Sequence, residues 1–209
     1  MNELSSQRTR RPSRGPRAAR FLAPFPRTAI LVAAIWLLTA FCPPGSAAAP
    51  STDEYQIKAA FLYHFAKFIE WPPSTLPKDN TPLLFAILSQ DASPYWTAAI
   101  ENQTVRGHAI VVKHLRAPEE LNEQYHLVFI HYSMAQDAGR IVQRLKNLPV
   151  LIVGDEIGWG DRGGAINFIK IDKNIHFEVN LAAARNSGLK ISSEMLKLAR
   201  SVHTGNGIH

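Results

Sequence analysis

Five side chains sit where a folded chain would place recognition chemistry. Asp155 and Glu156 follow the apolar run 150–153 after one glycine, Gly154. If that run is a parallel strand, both lie at its carboxyl end, where open α/β sheets bind ligands. His176 and Glu178 alternate with Ile175, Phe177 and Val179. In a strand the polar pair shares one face and the apolar three point to the other. A face bearing an imidazole and a carboxylate offers an N–H donor from the first and acceptors from both. Trp71 precedes Pro72 and Pro73, as an aromatic platform or as packing at a helix end. These five are the candidate contacts for a partner or a ligand.

None of them completes a catalytic or metal-binding set. No GxSxG elbow occurs, so a strained nucleophilic serine is not indicated. His126 and His131 flank one apolar run at an odd spacing, which puts them on opposite sides of a strand. No HExxH pair is present. Residues 158–163 match GxGxxG by letter. The dinucleotide mechanism needs a helix to start at the third glycine, and here a strand-like run follows instead. Cys42, the single cysteine, lies in the N-terminal leader. The expectation is a non-enzymatic protein with no metal and no cofactor.

The positive charge also belongs to the leader. The chain has 209 residues and a formal charge of +6. Residues 1–49 hold seven arginines and one acid, leaving 16 of the 23 basic and 16 of the 17 acidic residues beyond them. The remainder is formally neutral and has no basic face suited to nucleic acid. An Arg-rich start, an apolar run over 28–41 and the small residues 45–49 have the layout of a secretory signal. The apolar run is short for a membrane span. The reading is a signal peptide over 1–48, cleaved after Ala48, and one domain over 49–209, exported to the periplasm.

The rest of the chain supplies the elements that must position the candidate residues. Ser51 and Glu54 have capping-box spacing. After them Ile57, Phe61, Phe65 and Phe68, with Leu62 and Ile69, form an apolar face at helical period. Trp71-Pro72 ends that helix. Short apolar runs at 83–88, 109–113, 127–131 and 150–153 read as strands, with helices over 93–101 and 134–145. Runs 165–171 and 175–179, joined by three polar residues, read as an antiparallel hairpin. A helix turn over 181–186 and a last helix over 192–202 follow. The predicted fold is a single-domain α/β sandwich. Its sheet is mixed but largely parallel, with helices on both faces and a C-terminal antiparallel hairpin.

Three segments, in order, resemble the YfiR family of exported bacterial proteins. They are the helix from Ile57 to Trp71-Pro72, the run Gly163-Gly164-Ala165-Ile166-Asn167-Phe168 with IHFEVN over 175–180, and the stretch 184–199. The resemblance implies a periplasmic regulator that binds the periplasmic sensor part of an inner-membrane diguanylate cyclase and holds it inactive. It also implies an outer-membrane lipoprotein that can sequester the regulator, and it leaves a homodimer open. Cysteine pairs found in some members have no counterpart here beyond Cys42. A periplasmic small-ligand receptor, with its ligand near Asp155 or His176, is the alternative reading.

Overall fold

The computed structural model describes residues 52–76, 81–91, 94–121 and 125–205, all within the compact unit Ala49–His209. The expected signal peptide, Cys42 and the proposed cap Ser51 lie outside the described residues. The chain opens with helix α1 (Thr52–Phe68), then β1 (Ile69–Glu70), β2 (Leu83–Leu88), α2 (Tyr95–Ala98), β3 (Thr104–Val105) and β4 (His108–Leu115). There follow β5 (Leu127–Ile130), α3 (Ala135–Leu145), β6 (Leu151–Gly154), β7 (Ile166–Ile171) and β8 (Asn174–Asn180). Helix α4 (Leu181–Asn186), β9 (Lys190–Ile191), α5 (Ser193–Leu198) and β10 (Ser201–His203) complete it.

Eight strands form the main sheet in the order β10-β8-β7-β6-β5-β2-β4-β3. The run from β4 to β7 is parallel. The β7-β8 hairpin is antiparallel, as its short polar connection predicts. The fully buried strands β5 and β6 are continuous apolar runs, as expected where both faces of a parallel sheet are covered. One face packs on α1, through Leu62, Phe65 and Ala66, and on Trp96 from α2. The other packs on α3, through Ile141, Val142 and Leu145, and on Trp159. Among the described residues no helix is long and apolar enough to cross a membrane.

Two elements depart from the sequence reading. Helix α1 is rotated relative to its predicted face. Tyr55, Ala59, Leu62, Phe65, Ala66 and Ile69 are buried, whereas Ile57 is 42% exposed and Phe61 and Phe68 are only half-buried. The small residues Ala59 and Ala66 let the helix approach the sheet closely, and the charged residues described below fix its rotation. The predicted last helix stops at Leu198. Ala199 is extended, and Ser201–His203 turns into a strand beside β8. This pairing satisfies backbone groups that the hairpin would leave open at its edge, a gain that local periodicity cannot reveal.

The glycine-rich segment is a socket for a tryptophan. The 3₁₀ turn Trp159–Arg162 carries the indole of Trp159 back against the sheet, where it is 1% exposed. A Cβ on Gly154 or on Gly164 would overlap that ring. Strand β7 then begins, so the GxGxxG letters lead into no helix and form no phosphate cradle. Gly154→Ala and Gly164→Ala should each lower stability by about 1–3 kcal/mol through overpacking. Gly160→Ala, whose Cβ meets open space, should stay within about 0.5 kcal/mol of the parent. Urea melts of the three variants check this; equal effects at all three positions would mean that Trp159 is not wedged.

Candidate functional site: a buried charge clasp at the carboxyl edge of the sheet

The chain leaves β2 toward β4 on one side and returns with β5 on the other, so the strand order reverses between β2 and β5. Open α/β sheets place their sites in this crevice, beyond the carboxyl ends of the strands. Ser89 follows β2 here, His131 follows β5 and Asp155 follows β6. Helix α1 brings Glu54 and Lys58 over the same edge, one turn apart and therefore on one face.

These residues form an ion network in the interior. Lys58 Nζ lies 2.7 Å from Glu54 Oε1 and 2.7 Å from Asp155 Oδ2. Glu54 Oε2 in turn accepts from Lys170 Nζ on β7 at 2.7 Å. The Lys58 and Asp155 side chains are 5% and 2% exposed. Burial works against the Glu54 charge, but hydrogen bonds from Lys170 and Lys58 outweigh it and hold the carboxyl below its ordinary value. Burial likewise works against Lys58, and Asp155 with Glu54 outweighs it, so its ammonium is held above the ordinary lysine value. Each charge in this interior persists because its partners are in place.

His131 stands beside the network and behaves differently. It is fully buried, and burial lowers its pKa despite Asp155 and Asp91. Its Nδ1 is 2.8 Å from Ser133 Oγ and 3.4 Å from Ser89 Oγ. Its Nε2 is 3.9 Å from Asp155 Oδ2, beyond hydrogen-bond reach, and both Nε2 and Asp155 Oδ1 lack a hydrogen-bond partner. Asp91 Oδ2 accepts from the Tyr55 hydroxyl at 2.8 Å, and burial together with Asp91 pushes that phenol's pKa up. Ser89, His131 and Asp155 form a triad in name only. Serine and histidine are both fully buried, and both spacings are too long for proton transfer. Among the described residues no group of His, Cys, Asp and Glu is arranged to hold a metal ion.

The five residues singled out in the sequence have different fates. Asp155 lies at the carboxyl end of β6, but its side chain points inward to Lys58 and is no surface contact. Glu156 is tied by Arg162 at 2.8 Å. Trp71 is 4% exposed, and its indole N–H donates to the His126 carbonyl at 3.1 Å. It is helix-end packing, not a platform. His176 and Glu178 are half-buried on one face of β8, with Phe177 and Val179 buried on the other. Strand β10 flanks that face, and Ser201 Oγ donates to Glu178 Oε1 at 3.0 Å. The sequence reading gave Glu54 only a capping role, weighed His131 only as a metal ligand and passed over Lys58. The signal for Glu54 and Lys58 was a charged pair at i and i+4 within the stripe that the helix buries; His131 carried none beyond its place at the end of a strand.

The network makes stability depend on pH in a definite direction. His126 and His131 both titrate below their ordinary value of 6.5, mainly through burial. Above pH 6.5 both imidazoles are neutral folded or unfolded, and nothing is lost. As pH falls below 6.5 the unfolded chain takes up protons that the folded chain refuses, so stability declines. Below 4.5 the lowered Glu54 adds to the loss. Denaturant melts between pH 8 and pH 5 should therefore show falling stability. His131→Gln should flatten the slope by up to about 1.4 kcal/mol per pH unit, the effect of one proton. An unchanged slope in His131→Gln would contradict a buried neutral imidazole.

The geometry can now be set beside known proteins. The YfiR/HmsC-like family model matches residues 55–200. No curated protein matches the sequence. Among solved structures, a conserved domain protein from Vibrio cholerae O1 biovar El Tor is similar at 10% identity and a TM-score of 0.46, covering 71% of this chain and 60% of that one. The ABC domain in complex with L-Trp from Streptococcus pneumoniae is similar at 14% identity and a TM-score of 0.48, covering 69% of this chain and 60% of that one. This chain thus spans 60% of the length of either solved chain, and neither likeness bears on function. The family match runs from Tyr55 in α1 through Lys58 and Asp155 of the charge clasp and the hairpin to just past α5, most of the chain: the protein belongs to the YfiR/HmsC-like family.

Proposed function

We propose that this chain is a periplasmic regulatory protein that binds the periplasmic sensor part of an inner-membrane diguanylate cyclase and holds it inactive, lowering cyclic di-GMP and surface attachment. The observation that carries the reading is the family match over residues 55–200. In the same reading residues 1–48 are a signal peptide and residues 49–209 the exported domain, in keeping with the arginines, apolar run and small residues of the leader. An outer-membrane lipoprotein that sequesters the regulator relieves the cyclase. A binding role suits the surface at the carboxyl edge of the sheet. Ile157 is 97% exposed there and Tyr132 44% exposed, and tyrosine and large apolar side chains of this kind anchor protein interfaces.

A small-ligand receptor is the second reading. It is favoured by Asn167, which is 6% exposed with its carbonyl oxygen unpartnered beside an open cleft. The two readings separate in the cell. Deleting the gene should raise cyclic di-GMP and attachment, and a plasmid copy carrying the leader should restore both. Unchanged nucleotide levels in the deletion strain, with its membrane cyclases expressed, would overturn the repressor reading and leave the receptor.

A further inference from the structure

The face of the sheet around β7, β8 and β10 carries a row of polar residues that opens into a cleft beside the Trp159 turn and Ala182 of α4. Gly154, Asn167, Glu178 and Ser201 lie in register across β6, β7, β8 and β10. Trp159 stands over Gly154 and walls off one end of the row. The turn that carries it overhangs the row and is pinned, because Asn180 Nδ2 donates to the Gly160 carbonyl at 3.0 Å. The cleft so formed has a volume of about 260 Å³, with Trp159, Asp161, Asn167, Glu178 and His203 in its lining. That lies just below the ~300–1,000 Å³ of sites for drug-sized molecules, so it suits a smaller one.

The chemistry of the lining is one-sided. Asn167 Oδ1 is buried and accepts no hydrogen bond, although buried acceptors are nearly always satisfied. Glu178 accepts one bond at Oε1, from Ser201, and a carboxylate has room for several more. Asp161 adds a second carboxylate at an exposed position. Among the described lining residues there is no lysine or arginine to neutralise them. An ammonium group supplies what is missing: one positive charge and up to three N–H donors on a single small atom. We propose that this cleft binds a small organic amine as its ammonium ion, held by Asn167 Oδ1 and the Glu178 carboxylate with Asp161 at the rim. Anions are repelled by the two carboxylates, and a neutral alcohol leaves their charge unmatched. The proposal stands apart from cyclase repression and holds or fails without it.

The test is calorimetric titration of the exported protein, purified from the periplasm, with ethylamine and putrescine as probes and acetate and 1-propanol as controls, at pH 7.5. One amine should bind saturably, one per chain, and raise the melting temperature; acetate and propanol should do neither. Glu178→Gln keeps the shape and the acceptor for Ser201, and should weaken amine binding about tenfold through the lost charge. Asp161→Asn changes an exposed side chain that cannot upset folding, and should weaken it about threefold by the same cause. The idea fails if neither amine binds at concentrations up to about 10 mM. It fails equally if both variants bind the amine like the parent, or if the controls bind as well as the amines.

Discussion

The ammonium of Lys58 is the point on which the arrangement turns. It is enclosed, and among the described residues it is the one cation that touches both Glu54 on its own helix and Asp155 at the end of β6. A helix laid across a sheet by apolar contacts alone can slide or rotate with small loss, because dispersion and hydrophobic terms have no direction. A buried ion pair does not permit this, because separating its members leaves uncompensated charge in a medium that solvates it poorly. The rotation of α1 follows: Tyr55, Ala59, Leu62 and Ala66 face the sheet, and Ile57 is left in solvent. Through Asp155 the same contact holds the start of the loop that carries Trp159 into its socket, and through Glu54 it reaches Lys170 on the hairpin.

His131 gains its character from this neighbourhood. A histidine beside two carboxylates would ordinarily be expected to charge, yet Asp155 is already engaged by Lys58 and burial dominates. The imidazole stays neutral, with Nδ1 turned to Ser133 and Ser89 and Nε2 facing a carboxylate it does not reach. The carboxyl edge of the sheet, where enzymes of this architecture keep their chemistry, is here filled by the protein's own side chains. That separates the clasp from the open, acidic cleft around Glu178.

The layered architecture was legible in the sequence because each central strand is a short apolar run between breakers, and the hairpin because two alternating runs share a three-residue connection. The polar face of β8 was legible for the same reason: period two alone puts His176 and Glu178 opposite Phe177 and Val179. What escaped was set by contacts distant in sequence. Nothing local marks Lys58 as buried, because its partner Asp155 lies 97 residues away. Trp71 reads equally as a platform or as helix-end packing until its N–H is seen to reach the His126 carbonyl. Residues 201 and 202 read as helix until β8 offers the segment 201–203 an edge. The strand after the glycines of 158–163 was legible and excluded a phosphate cradle, but the tryptophan that Gly154 and Gly164 make room for was not.

A double-mutant cycle on Lys58 and Asp155 tests this account most directly. Lys58→Met leaves Asp155 buried and unpaired and should be strongly destabilising, by about 3–5 kcal/mol; Asp155→Leu leaves Lys58 buried but still 2.7 Å from Glu54 and should cost less, about 1–3 kcal/mol. The double variant retains Glu54, which Lys170 still neutralises, and should lose no more than either single variant. The coupling measured by urea denaturation should then reach about 3 kcal/mol. Additive losses, with coupling under about 0.5 kcal/mol, would show that the two groups act independently and that the clasp does not hold α1 to the sheet.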